Sequence, residues 1–266
     1  MTPLHLEGIG VRADGLVDWI SARAVLRGEI PFVPSSTARP SAAALPATER
    51  RRANDTARWA LDAAGQAAAG LDAEELALLP TVFASADGDG EVLARMLHDL
   101  AGAPVALSPT TFHNSVFNAP SGYWSIAARA PAASTTLCAD EASFAAGMLE
   151  AAAQADATGG PVLVVACDHA FPAASPIVTP ARAAFACALR FAAASTGRVP
   201  IGRIEVVTVS QDEATPLPGP LAEAFDGNAA AAALPLLAAV AGGREATIRL
   251  PYLDGTSVTL RWVPCA

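Results

Sequence analysis

The chain has no lysine. All 17 of its basic residues are arginine, set against 26 acidic ones for a net charge of −9. A nucleic-acid partner needs cations gathered on one face, so this balance excludes that class. The one basic run, Arg50-Arg51-Arg52, follows Glu49 and reads as a solvated helix start or a salt-bridge site for a protein partner. Cysteine is scarce too. Cys138, Cys167, Cys187 and Cys265 lie far apart, without the spacing of metal ligands. They form neither a disulfide framework nor a zinc site, and read as the thiols of a cytoplasmic protein. The longest apolar run, residues 229–241, contains Pro235 and is too short to span a bilayer. Met1 is followed by Thr2, Pro3 and soon Glu7, which is not a secretory leader.

What the chain does have is apolar mass. Hydrophobic residues make up 52% of 266 positions, ample for a buried core within one domain spanning residues 1–266. Strand and helix patterns alternate, which implies an α/β layered fold. Residues 4–11 alternate as a strand, and a short helix is expected over 15–26. Residues 31–48 hold four prolines and read as a loop. A helix follows, capped by Asn54 or Asp55 and running to Gly70. Its small face carries Ala57, Leu61, Ala64 and Ala68, and its polar face Arg58, Asp62 and Gln66. Residues 81–85 suit a buried strand. After the acidic glycine turn 87–90 comes a helix with Val92, Leu93, Met96, Leu97 and Leu100 on one side and His98 on the other.

Residues 114–129 are expected to be helical after Pro120. Residues 134–137 form a short β-branched stretch ahead of Cys138, and a helix is expected from Ala139 to about Asp156. Residues 162–167 read as a strand buried on both faces of a parallel sheet. In residues 183–193, Phe185, Cys187, Leu189 and Phe191 recur at every second position, which predicts a strand with one bulky and one small face. Residues 203–210 form another strand, and residues 221–241 are mostly helix, interrupted near Pro235. The end reads as a hairpin about Asp254-Gly255, with Pro251 marking an edge strand.

The sharpest chemical feature is the strand–Cys138–helix junction. A thiol there sits near free amide N–H groups that favour a thiolate and hold an oxyanion. The plainer reading is a small residue closing a tight turn. Asp140 and Glu141 suit a first helical turn, but their charge works against a neighbouring thiolate. His113 reads as a helix-start histidine, His98 as a surface one. Asp168-His169 follows a buried strand at the edge where open α/β sheets place sites, with Pro172 marking a loop. No Gly-x-Ser-x-Gly turn supports a hydrolase. The Gly8/Gly10 and Gly88/Gly90 pairs lack a nucleotide fingerprint.

Residues 134–139 (Ser-Thr-Thr-Leu-Cys-Ala), followed by Ala142, Gly147 and Glu150, resemble the active-site turn of β-ketoacyl synthases. Arg50–52 with the following helix, residues 84–88, and Ser108 through Asn118-Ala119-Pro120-Ser121-Gly122 to Trp124 agree in order. The resemblance covers residues 4–263 and corresponds to the N-terminal half of a full synthase with a thiolase-like α/β fold. It extends to the chain-length-factor-like partners of bacterial aryl polyene ketosynthases. That resemblance implies a cysteine at Cys138 without the two histidines of the second half, since none follows His169. It implies a non-catalytic subunit in a heterodimer with a full β-ketoacyl-ACP synthase, with an acyl carrier protein as a further partner. Phe112, His113, Asn114, Phe117, Asn118, Trp124, Thr136 and Leu137 would then line the acyl tunnel or the partner interface. Two rivals stand beside this expectation: an acyl-accepting enzyme subunit using Cys138, and a stand-alone acyl-binding module. Neither a metal nor an organic cofactor is expected.

Overall fold

The computed structural model describes residues 2–102, 107–170 and 183–265. Its strands are β1 (Leu4–Ala13), β2 (Thr81–Ala84), β3 (Ser134–Leu137), β4 (Pro161–Asp168), β5 (Phe185–Ala192), β6 (Gly202–Ser210), β7 (Ala246–Pro251) and β8 (Ser257–Pro264). They form a mixed sheet in the order β3-β2-β4-β5-β1-β6-β8-β7. The β3, β2 and β4 strands are parallel, and every other neighbour is antiparallel. The helices are α1 (Trp19–Leu26), α2 (Ala47–Arg52), α3 (Asp55–Ala67), α4 (Ala73–Ala77), α5 (Gly90–Ala101), α6 (Pro109–Asn114), α7 (Ala119–Ala128), α8 (Ser143–Thr158), α9 (Pro220–Ala224) and α10 (Leu234–Gly242). This is the layered α/β arrangement expected of a thiolase-like fold. No helix among the described residues is long and apolar enough to cross a membrane.

The two faces of β5 show how the alternation is used. Phe185, Cys187, Leu189 and Phe191 enter one core cluster with Phe144 and Met148 of α8 and leucines of α10. Ala184, Ala186 and Ala188 enter the other, under the alanines of α3. On that small face the backbones themselves come close. A Cβ added to Gly8 or Gly10 of β1 would lie 2.0 Å from the Ala67 carbonyl oxygen or 1.9 Å from that of Ala63. The glycine pair is therefore a spacer that lets α3 lie against β1. On the bulky face, each large side chain fully buried contributes about 1.5–3 kcal/mol of apolar burial.

Several sequence expectations change. The α1 helix begins at Trp19, where Asp18 supplies a capping box, rather than near Gly15. Arg50–Arg52 form the last turn of the separate helix α2, not a helix start. Arg58 is buried instead of lining a polar face, because its guanidinium donates to the carbonyls of Ala53, Pro40, Ser41 and Arg50. The β4 strand has a parallel neighbour on one side only; β5 runs antiparallel on the other. After α9 the chain passes through a 3-10 segment, Ala229–Ala233, into α10, and Pro235 lies in the first turn of α10, where its missing N–H costs nothing. The loop expected at Pro172 lies outside the described residues. The terminal hairpin forms as expected, with β7 at the sheet edge.

Candidate functional site at the Cys138 turn

The opposite edge of the sheet is β3, and Cys138 directly follows it. Thr81 N donates to Ala133 O at 3.1 Å and Ser85 N to Leu137 O at 3.2 Å. A parallel ladder alternates, so residues 133, 135 and 137 face β2 while the backbone N–H and C=O of Ser134 and Thr136 point outward. Among the described residues nothing bonds to those outward groups.

Cys138 is exposed, and its thiol donates to the Ala86 carbonyl at 3.2 Å. The turn beyond it differs from the expected helix. Asp140 adopts φ 51° and opens a short 3-10 segment, Asp140–Ala142, and α8 begins only at Ser143. The Ser143 hydroxyl donates to Asp140 O at 2.7 Å and accepts from Ala139 N at 3.0 Å, which holds this conformation. Left-handed backbone costs a non-glycine residue about 1–2 kcal/mol, and aspartate is among those that visit it. Asp140 and Glu141 thus precede α8 rather than occupying its first turn. A further acid stands close: Asp87 is held above the usual carboxylate range, first by burial and then by the charge of Asp140.

The sequence places Asp168-His169 just beyond a buried strand, at the edge where open α/β sheets carry sites; in the structure Asp168 is the last residue of β4 and has a defined part. Its buried Oδ1 accepts the Ser85 hydroxyl at 2.7 Å and Ala86 N at 2.8 Å, and its Oδ2 accepts Ala230 N at 3.0 Å. The Asn228 side chain donates to its carbonyl at 3.0 Å. Burial raises its pKa, and the bonds from Ser85 and the backbone oppose that rise. The carboxylate therefore fixes the Ala86 carbonyl that Cys138 bonds to.

The other candidate residues divide into two groups. Thr136 shares a 3.2 Å hydroxyl contact with Ser121 at the start of α7. Leu137 is half-buried at the end of β3, against the bulky-face core. Phe117 is exposed, with its ring against Gly88 in the turn beyond Ala86, and Asn118 beside it is exposed at the start of α7. Phe112 is exposed on α6. Thr136, Leu137 and Phe117 thus lie about the Cys138 turn, while Phe112 and Asn118 are on the exposed surface of α6 and at the start of α7. Asn114 and Trp124 form the second group. Asn114 is buried, donating to Arg52 O at 2.8 Å and accepting the Tyr123 hydroxyl at 3.0 Å, while Trp124 belongs to the small-face core. His113 lies in the last turn of α6, not at a helix start, with its ring edge-on to Tyr123 at 5.8 Å. His169 stacks edge-on with Trp59, His98 is exposed on α5, and His5 sits at the far end of β1.

Sequence periodicity places Val92, Leu93, Met96, Leu97 and Leu100 along one side of α5, and among the described residues that side is only partly covered. Leu93, Leu97 and Leu100 are exposed, and α5 packs on α6, whose neighbourhood exposes Phe112, Val116 and Phe117. An apolar face of this kind marks an interaction surface. Among the described residues no three His, Cys, Asp or Glu side chains are grouped as metal ligands would be.

Comparison with known proteins agrees with this architecture. A chain from a complex of the ketosynthase ApeO with its chain length factor ApeC from Xenorhabdus doucetiae superposes with a TM-score of 0.70 at 20% identity, covering 98% of this chain and 99% of that one. A chain of the ishigamide ketosynthase/chain length factor gives 0.69 at 12% identity over the full length of both. The ketosynthase from module 6 of the bacillaene synthase of Bacillus subtilis 168 gives 0.59 at 13% identity, with 81% of this chain matching 42% of that one. These likenesses show the fold. No curated protein matches the sequence. Residues 25–243 match the family model for the β-ketoacyl synthase N-terminal domain, and the chain belongs to that family.

Proposed function

We propose that this chain is a chain-length-factor-like subunit that pairs with a complete β-ketoacyl-ACP synthase, and that Cys138 does not carry out condensation by itself. The observation that carries the proposal is the union of an unguarded edge strand, β3, with the exposed apolar residues of α5 and α6. An open edge and an apolar face together favour a stable partner over a solvated monomer. Two solved relatives of similar chain length come from ketosynthase/chain length factor assemblies, which supports the same reading. At Cys138, the thiol proton is directed to a carbonyl, and among the described residues no histidine shares a hydrogen bond with it. Thiol-based condensation needs a base within hydrogen-bond reach. In the assembly, Phe112 and Phe117 would meet the partner and limit the length of its acyl chain. An acyl carrier protein would serve the complex rather than this subunit alone.

Co-expression with a complete ketosynthase tests the pairing: a 1:1 complex by light scattering is expected, and two independent monomers would refute it. Product formation by the complex should survive Cys138→Ala. The rival acyl-accepting reading draws on the exposure of Cys138. It requires a mass increase on Cys138 after incubation with an acyl carrier protein and the partner, and loss of product in Cys138→Ala.

A further inference from the structure

The β3 edge is four residues long and poorly anchored by apolar contact. Ser134 is exposed, Thr135, Thr136 and Leu137 are half-buried, and Leu137 is the one hydrophobic side chain of the four. Its neighbour β2 is buried along its whole length. A strand so short, with a ladder on one side only, frays unless other bonds hold it. Its hydroxyls supply them, and each is engaged by a different element. Ser134 Oγ accepts the Thr81 hydroxyl of β2 at 2.8 Å, and Thr135 Oγ1 accepts Gln154 Nε2 of α8 at 3.1 Å. Thr136 Oγ1 lies 3.2 Å from Ser121 Oγ of α7. The partners are themselves aimed. Gln154 Nε2 also donates to Glu150 Oε1 at 2.8 Å, and the Ser121 hydroxyl donates to Asn118 O at 2.9 Å, which leaves Ser121 the acceptor toward Thr136. Successive side chains of a strand point to opposite faces, so β3 is held from the α8 face at Thr135 and from the α7 face at Thr136.

We infer that these side-chain bonds keep β3 extended before a partner arrives, and that Gln154 and Ser121 are positioning residues for strand addition at this edge. The inference rests on the pairing proposed above. An edge already ordered spares the complex the entropy of fixing the chain at the moment of binding. The occupant it fits is an extended segment of the complete ketosynthase, whose backbone meets the outward N–H and C=O groups of Ser134 and Thr136. Gln154 and Ser121 act through Thr135 and Thr136, from the two faces of the sheet rather than in the plane of its edge.

Thr135 allows hydroxyl and shape to be separated. Thr135→Ser keeps the acceptor and loses the branched methyl, whereas Thr135→Val keeps the branched shape and loses the acceptor. Affinity of the intact chain for a complete ketosynthase is measured by surface plasmon resonance, with urea unfolding of each variant as the control for global stability. Thr135→Val and Gln154→Met should each weaken the complex about three- to tenfold, the loss of one hydrogen bond, and the double variant should weaken it no further. Thr135→Ser should bind within about twofold of wild type. In the free chain, hydrogen exchange at the Thr135 and Leu137 amides should accelerate in the Val and Met variants alone. Thr135→Val binding as tightly as wild type overturns the inference, as does Thr135→Ser binding more weakly than Thr135→Val. So does exchange at β3 of the free wild type as fast as in the exposed loop 194–199. Each of these results, with the wild-type complex intact, removes the positioning role and leaves the pairing standing. A wild type that forms no complex removes the pairing and the inference together.

Discussion

The sheet has two edges, and they are finished differently. At β7, the N–H of Arg249 donates to the Thr215 hydroxyl at 2.9 Å, and its C=O accepts Thr215 N at 2.8 Å. Pro251 removes another donor there, and Arg249 pairs with Asp212 at 3.3 Å. Every one of these devices discourages a further strand. At β3 the four residues Ser134–Leu137 carry no charge and no proline, and the outward backbone groups have no partner among the described residues. One edge is closed by the chain itself. The other is left for something else, next to the exposed leucines of α5.

The largest test of this contrast is Thr136→Pro. It removes an outward N–H without touching the ladder to β2, so the isolated protein should fold while its affinity for a complete ketosynthase falls by about 30-fold or more, measured by surface plasmon resonance. Leu97→Glu at an exposed position of α5 should weaken the same complex by about tenfold and leave monomer stability within about 0.5 kcal/mol, because the site is solvated before assembly. A smaller effect is expected behind the open edge. Asp87 has its pKa raised in the folded protein by burial and by Asp140. Its charged form therefore opposes folding at neutral pH, while the protonated form's advantage is complete below the unfolded value near 4 and is lost as pH rises through the folded one. Asp87→Asn should raise Tm slightly at pH 7, and the gain should vanish at acidic pH. The smallest change belongs to the closed edge: Arg249→Ala breaks an exposed pair and should alter stability by less than about 0.5 kcal/mol in urea unfolding, because Thr215 still covers the strand.

Sequence reading recovered what periodicity and turn chemistry encode. The alternation of Phe185, Cys187, Leu189 and Phe191 gave β5 and its two unlike faces, and Asp254-Gly255 gave the final hairpin. The turn at Cys138 was located because a β-branched stretch stops there. What stayed hidden depends on residues far apart in the chain. Arg58 looked like a surface cation because its carbonyl acceptors come from Pro40, Ser41, Arg50 and Ala53, which no helical pattern reveals. The hub at Asp168 needs β2 beside β4 and the Asn228 loop folded over both. That β3 is an edge follows from sheet order alone. The delayed start of α8 turns on one local competition, in which Ser143 bonds the backbone of Ala139 and Asp140 and displaces the helical turn that the acids seemed to favour.

The glycine pair in β1 has a consequence for the whole of α3. With Ala63 and Ala67 carbonyls pressed where side chains would stand, a methyl group at Gly8 or Gly10 has nowhere local to go. The helix would have to translate as a rigid rod. Three of its residues are moorings: Arg58 ties down residues 40, 41, 50 and 53, Trp59 meets His169, and Gln66 bonds Val11 and Trp19. One added carbon at the spacer would drag all three lines at once, shifting the α2 segment and the Asp168-His169 strand end with it.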